Sequence, residues 1–146
     1  MSSKAAAEGQ LLLPWLLSLL LLAQIFHLSQ ADIGTASHYS PPYTPTACNG
    51  NDGSQFPTSN LFAAAGEGVW DNGAACGRQY LVRCINGVDP GACVPGKTIQ
   101  VIIVDRAGTA VSKAKRPGAT IVLSDSAYAN IAKATTASIN IDYQQV

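Results

Sequence analysis

The chain has 146 residues, with nine Lys+Arg against nine Asp+Glu, a formal net charge of zero and only 12% charged residues. A chain so balanced has no global field to draw it to nucleic acid or anionic lipid, which excludes general binding of those partners. A hydrophobic fraction of 47% is enough to fill one core at this length.

Lys4 precedes the apolar run Leu11-Leu12-Leu13-Pro14-Trp15-Leu16-Leu17-Ser18-Leu19-Leu20-Leu21-Leu22-Ala23, which is followed by Gln24 and His27 and closed by Ser29-Gln30-Ala31. A basic start, an apolar core and a small-x-small end make a secretory signal, predicted as residues 1–31 with cleavage after Ala31. The competing reading, a membrane anchor, asks for about twenty apolar residues, whereas this core has about a dozen. The expected product is therefore Asp32 to Val146, a secreted domain with one core and no membrane span. Losing Lys4 and Glu8 together leaves it neutral.

Cys48, Cys76, Cys84 and Cys93 all lie in that mature part. An even count in a small exported domain reads as two disulfides, with three pairings open at this level. No CxxC occurs and one of the two histidines lies in the signal, so no metal site and no cofactor are expected.

Gly34 to Ser40 reads as a first strand with small residues around Tyr39; His38, adjacent to it, points to the opposite face and is expected at the surface. Pro41-Pro42-Tyr43-Thr44-Pro45 enforces an extended path into Cys48. Asn49 to Ser54 is a polar, glycine-rich loop. Leu61-Phe62-Ala63-Ala64-Ala65 suggests a short helical turn or an irregular packed segment, since periodicity does not decide so short a run.

The chain is organised around Trp70–Cys84. Asn72-Gly73 marks a turn before Cys76-Gly77, after which Tyr80, Val82 and Cys84 alternate with Leu81 and Arg83 as in a strand. Trp70 and Tyr80 are most simply core or bridge-covering aromatics. Asn86 to Gly91 is turn-rich. Thr98 to Val104 is nearly continuous β-branched sequence, predicting a strand buried on both faces and ending at Asp105-Arg106. Ala107–Gly118 is a polar, basic connection, and Ala119–Leu123 is a further short strand. Ser124-Asp125-Ser126 caps a helix that carries Tyr128, Ile131 and Ala132 on one face and ends near Ala134. Ile139, Ile141 and Tyr143 face inward from a final strand. Five or six strands and one helix make a mainly β fold, a small closed barrel or sandwich with a helix attached.

As a set and in this order, several segments resemble the plant family-45 endoglucanase-like domain proteins. That group includes the plant natriuretic peptides and the blight-associated proteins and is related to expansin N-terminal domains. The matching pieces are Gly34-Thr35-Ala36-Ser37-His38-Tyr39, Pro41 to Cys48, Trp70 to Gly77, Tyr80 to Cys84, Val101 to Asp105, Leu123-Ser124 through Tyr128 to Ile131-Ala132, and Ile139 to Tyr143, spanning nearly all of the mature chain. The resemblance implies a six-stranded double-psi β-barrel with one short helix and the pairs Cys48–Cys76 and Cys84–Cys93. Many relatives carry a third cysteine pair after the position of Asp105; here Arg106-Ala107 stand there, so the Ala107–Gly118 loop is expected to be less constrained.

Glycoside hydrolysis ordinarily uses two carboxyls flanking the scissile bond. In the hydrolases and expansins of this resemblance, the first acid corresponds to Asp105, but the second falls on Val122, which holds no proton. Asp125 is close in sequence, yet its place in a first helical turn explains it without catalysis. The resemblance puts Asp105 on the floor of a groove with Ser37 and Tyr39; the structural alternative is a carboxylate paired with Arg106 or accepting backbone N–H bonds. Tyr39 can stack on a sugar or pack in its strand. Lys113, Lys115 and Arg116 form a basic run that is either a solvated loop or a contact for anionic wall polysaccharide. The function implied is that of a secreted, monomeric, non-enzymatic protein of the extracellular space acting in water and solute homeostasis through a cell-surface receptor, with Pro41 to about Tyr80 as the active region. The alternative is a wall-polysaccharide binding or loosening module, and a residual hydrolase stands third.

Overall fold

A computed structural model of the chain describes residues 13–22 and 31–146. Residues 13–22 are helical and lie within the expected signal core; no helix among the described residues is long and apolar enough to cross a membrane. The cleavage point expected at Ser29-Gln30-Ala31 involves residues 29–30, which lie outside the described residues. Asp32–Val146 forms a compact unit of its own.

That unit is a closed six-stranded barrel. Its strands are β1 (Asp32–Tyr39), β2 (Phe62–Ala65), β3 (Gln79–Asn86), β4 (Thr98–Arg106), β5 (Ile121–Ser124) and β6 (Ile139–Gln145), in the order β1-β5-β2-β4-β3-β6 around the wall. Two pairs are parallel, β1 with β5 and β2 with β4, and the rest are antiparallel. Parallel neighbours cannot be joined by a tight hairpin, and the strands are linked by long segments outside the barrel wall, among them 40–61 and 107–120. Two short helices complete the unit, α1 (Glu67–Trp70) and α2 (Asp125–Ile131).

The barrel interior is filled by alternate residues, among them Ala36 on β1, Ala63 and Ala65 on β2, Val82 on β3, Val101 and Ile103 on β4, Leu123 on β5 and Ile141 on β6. Helix α2 adds Ala127, Tyr128 and Ile131 to it. A second, smaller cluster lies on the other face of β1, β5, β2 and β4: Tyr39, Phe62, Ala64, Val104 and Val122, with Tyr43 and Phe56 from the 40–61 segment packed against them. The Tyr43 and Phe62 rings meet edge to face at 4.7 Å, as do Tyr39 and Tyr43 at 5.0 Å.

Several expectations are corrected here. Leu61–Ala65 is neither a helical turn nor irregular: Phe62–Ala65 is β2, buried on both faces. Alanine favours helices intrinsically, but β2 is sandwiched between β4 and β5, with the interior on one side and the second cluster on the other, so small side chains fit both faces. Strand β4 is buried on both faces only in its second half; Thr98 and Gln100 are exposed and Ile99 and Val101 buried, a simple alternation. Helix α2 ends at Ile131, with Ala132 extended, three residues short of the expected end near Ala134. His38 is 7% exposed, not a surface residue. It does point away from Tyr39, but in a closed barrel that direction leads inward, beneath α2.

The cysteines pair as Cys48–Cys76 and Cys84–Cys93, with Cα separations of 5.6 and 5.4 Å. The loop after β4 has no third bridge and is tied by hydrogen bonds instead. The buried Ser112 hydroxyl donates to the Arg106 carbonyl and accepts the Thr109 amide at 3.1 Å. Farther along, the Lys115 amide donates to the His38 carbonyl at 3.0 Å, and the Arg116 amide donates to Ser37 Oγ at 3.0 Å.

Candidate functional site

The register across β4, β2, β5 and β1 places Asp105, Ala64, Val122 and Ser37 in one row on the face that carries the second cluster. A register shift between Ala63 and Ala64 brings Asp105 opposite Ala64. The row sets Asp105 and Val122 on the same face with β2 between them. Only one of them holds a carboxyl.

Asp105 is fully buried. Its Oδ1 accepts two backbone N–H bonds, from Ala47 at 2.7 Å and from Arg106 at 2.8 Å, so the segment running from Pro41 to Cys48 lies across it as a strap. Its Oδ2 has no hydrogen-bond partner. Burial pushes the carboxyl above the ordinary aspartate range, and the two amide donors offset part of that rise. The Arg106 side chain is not its partner, since the guanidinium binds Glu67. Of the two readings of Asp105, the backbone-bonded carboxylate matches these contacts.

Tyr39 is equally buried, its hydroxyl without a partner, and burial followed by the Asp105 charge pushes its phenol far up. Tyr39 and Asp105 are therefore brought into one another's field beneath the strap. Ser37 is not part of that pair: its hydroxyl donates to the Ala137 carbonyl at 2.7 Å and accepts the Arg116 amide, which uses it as a pin between β1 and two loops. None of Ser37, Tyr39 and Asp105 is among the residues lining the groove and the smaller hollow described next.

The open feature lies beside them. A groove of about 950 Å³ has Val122, Thr120 and Ala119 along its floor, Gly66, Glu67 and Gly68 on one wall, and Arg106 to Ala110 with Lys113 and Ala114 on the other. Gly66 is required here, because a Cβ on it would stand 2.3 Å from the Ala119 carbonyl oxygen, and the Gly66 amide bonds the Thr120 carbonyl at 2.9 Å. That close approach fixes the wall to the floor. Arg106 closes one end of the groove by donating from Nε and Nη2 to Glu67 Oε1 at 3.2 and 2.7 Å while its guanidinium lies over the Trp70 ring, 5.9 Å from the centroid. The Arg106–Glu67–Trp70 group was not foreseen from sequence, and no local spacing of these three residues would have revealed it. Of the basic run, Lys113 lines this groove and Arg116 lines a smaller hollow of about 310 Å³ across Pro117-Gly118, while Lys115 lies near enough to Asp125 to act on it.

Asp125, expected only to favour the α2 N-terminus, also holds His38. Its Oδ1 lies 2.7 Å from His38 Nδ1, the His38 Nε2 lies 3.1 Å from the Thr136 carbonyl oxygen, and the imidazole stacks on Tyr128 at 4.2 Å. Burial raises the Asp125 carboxyl, but hydrogen bonds from Ser40 and His38 with the charges of His38 and Lys115 more than offset it, leaving it below the ordinary range. The cap itself is Ser124, whose hydroxyl accepts the Ala127 amide at 3.1 Å and donates to the Asn60 carbonyl.

A closed six-stranded barrel with two parallel pairs and this face for a site is a double-psi β-barrel of the expansin-related class, and a family model described as lytic transglycolase matches residues 63–143. The chain is 37% identical to an EG45-like domain containing protein of Citrus jambhiri over 79% of its own length and 82% of the relative's. It is also 38% identical to EG45-like domain containing protein 2 of Arabidopsis thaliana over 60% of its own length and 65% of the relative's. The chain belongs to the EG45-like domain family. Among solved structures, a ligand-free expansin of Clavibacter michiganensis aligns with TM-score 0.56 and 21% identity over 80% of this chain. A point mutant of that expansin, in complex with cellohexaose, aligns with TM-score 0.57 and 21% identity over the same share. The chain spans half the length of those expansin chains. A Streptomyces papain inhibitor shares the fold at TM-score 0.51 and 19% identity, covering 80% of this chain and 96% of that one.

Proposed function

We propose that Asp32–Val146 works in the extracellular space as a non-hydrolytic module that contacts wall polysaccharide along the groove beside β2, β4 and β5. The observation that carries this reading is the separation of the groove from the acid. Val122 stands on the groove floor, while Asp105 lies beneath the strap with its Oδ1 already occupied by two amides. A surface so built can hold a sugar chain, and it offers no proton donor with a facing base. Two disulfides suit an oxidising compartment, and the expansin seen with cellohexaose supports a glycan as partner for this fold. The reading calls for no cofactor and for a monomer.

A finer reading has one observation of its own. Pro41 to about Tyr80 is closed on itself by Cys48–Cys76 and presents the exposed, turn-rich stretch 49–54. Such a fixed loop suits recognition by a cell-surface receptor and a role in water and solute homeostasis like that of the plant natriuretic peptides.

Co-sedimentation of the oxidised domain with insoluble wall polysaccharide, with reducing ends counted afterwards, tests the first reading: retention without new reducing ends is expected, and release of sugar at an enzyme-like rate would end it. Water uptake by protoplasts given the oxidised domain tests the second, which requires a response that the reduced protein does not give.

A further inference from the structure

We propose that the groove is built for acidic, uronate-bearing polysaccharide and discriminates against neutral glucan. The inference rests on the polysaccharide reading above and names the class of glycan that the groove takes.

Neutral sugar chains are commonly held by aromatic faces, because the apolar side of a pyranose ring stacks on a flat π surface. The residues lining this groove include no aromatic side chain. The nearest indole, Trp70, is partly buried and has the Arg106 guanidinium over its ring, so that face is already taken. What the groove offers instead is charge. Arg106 and Lys113 line it against the single carboxylate of Glu67, and Glu67 accepts from Arg106 through one oxygen only. The other guanidinium N–H groups of Arg106 and the Lys113 ammonium have no protein acceptor among the described residues. A planar guanidinium fork with open donors matches a carboxylate in shape and charge.

The buried carboxylate nearby does not cancel this. Asp105 adjoins Arg106 in sequence, but it is fully buried beneath the strap and its Oδ1 is held by the Ala47 and Arg106 amides, so it does not face the groove. Lys115 and Arg116, on the same connection, extend the positive field beyond the groove, although the protein as a whole carries no net charge. Attraction to an anionic chain is therefore local to this face, and the rest of the surface gives it no support.

Affinity electrophoresis of the oxidised domain in gels containing polygalacturonate, fully methyl-esterified polygalacturonate, xyloglucan or double-stranded DNA tests the proposal. The expected result is retardation by polygalacturonate with about tenfold weaker binding to the methyl ester, which keeps the shape and loses the charge; a tenfold change in affinity corresponds to about 1.4 kcal/mol. Binding should vanish near 1 M salt, where the screening length falls to about 3 Å. Lys113→Gln should weaken binding roughly three- to tenfold at unchanged melting temperature, and Lys97→Gln, in the exposed turn before β4, should not. Equal affinity for xyloglucan and polygalacturonate overturns the selectivity and leaves the polysaccharide reading standing. Binding to DNA as tight as to polygalacturonate, or an unchanged affinity in both Lys113→Gln and Arg106→Gln, overturns the assignment to this groove. Failure to bind any of the glycans removes the polysaccharide reading as well.

Discussion

Asp105 and Asp125 are two aspartates with opposite relations to pH. Asp105 has its pKa raised by burial, so the folded protein holds its proton more tightly than the unfolded chain does. Its contribution is fully present below the unfolded aspartate value, about 3.9, and is lost as pH rises through the higher folded value. An asparagine at this position would mimic the protonated acid, keeping an oxygen for the Ala47 and Arg106 amides. The Asp105→Asn variant should therefore melt close to the wild type in acid and above it once pH has risen through the folded value. A melting difference that does not change with pH would contradict the burial argument. Asp125 has its pKa lowered, so its contribution is present above the unfolded value and lost as pH falls through the folded one. Asp125→Asn should accordingly lose stability at neutral pH, and its deficit should close in acid, as read from the same melting series. Neither behaviour was legible in the sequence. The capping role of the Ser124-Asp125 pair could be read from local spacing, but the burial of Asp105 depends on Ala47, and the partner of Asp125 is His38, each far away in the chain.

Among the elements, β3, β6 and α2 could be read because their alternation or capping is local and their buried residues fall mainly on one face, and β4 because its run of β-branched residues marks a strand whatever its burial. The β2 strand could not, because four residues hold too little periodicity and the helix preference of alanine pointed the wrong way; its identity is set by β4 and β5 on either side. The groove shares that limitation, since its walls come from the segments after β2 and β4 and its floor from β5. Gly66 joins these parts, and Gly66→Ala should cost about 1–3 kcal/mol by overpacking against the Ala119 carbonyl, measurable by denaturant unfolding. The disulfides differ in reach. Cys48–Cys76 closes a separation of 28 and Cys84–Cys93 one of 9, so the chain-entropy relation gives about 3.5 and about 2.5 kcal/mol respectively. Replacing both cysteines of the first pair by serine should therefore cost more than replacing both of the second. It should also speed hydrogen exchange at the Ala47 amide, which caps Asp105; unchanged exchange there would mean that the strap does not depend on its bridge.

At the scale of the molecule, the strand tally from sequence reached a small β-barrel or sandwich, and the ordered set of motifs from Gly34 to Tyr143 carried the step to the double-psi barrel and to the two cysteine pairs. The closed strand order and both bridges agree with that step. What the motifs did not contain is the open groove beside the acid, because it forms between β5 and the segments after β2 and β4. The central claim is that this barrel holds a sugar chain without cutting it. Native mass spectrometry of the oxidised domain incubated with oligosaccharides of wall polysaccharide tests this most directly, since one spectrum reports both the adduct and the length of the bound chain. Adducts carrying the intact oligosaccharide, with no shorter products, are the predicted result; fragments that accumulate with time, or the absence of any adduct, would contradict it.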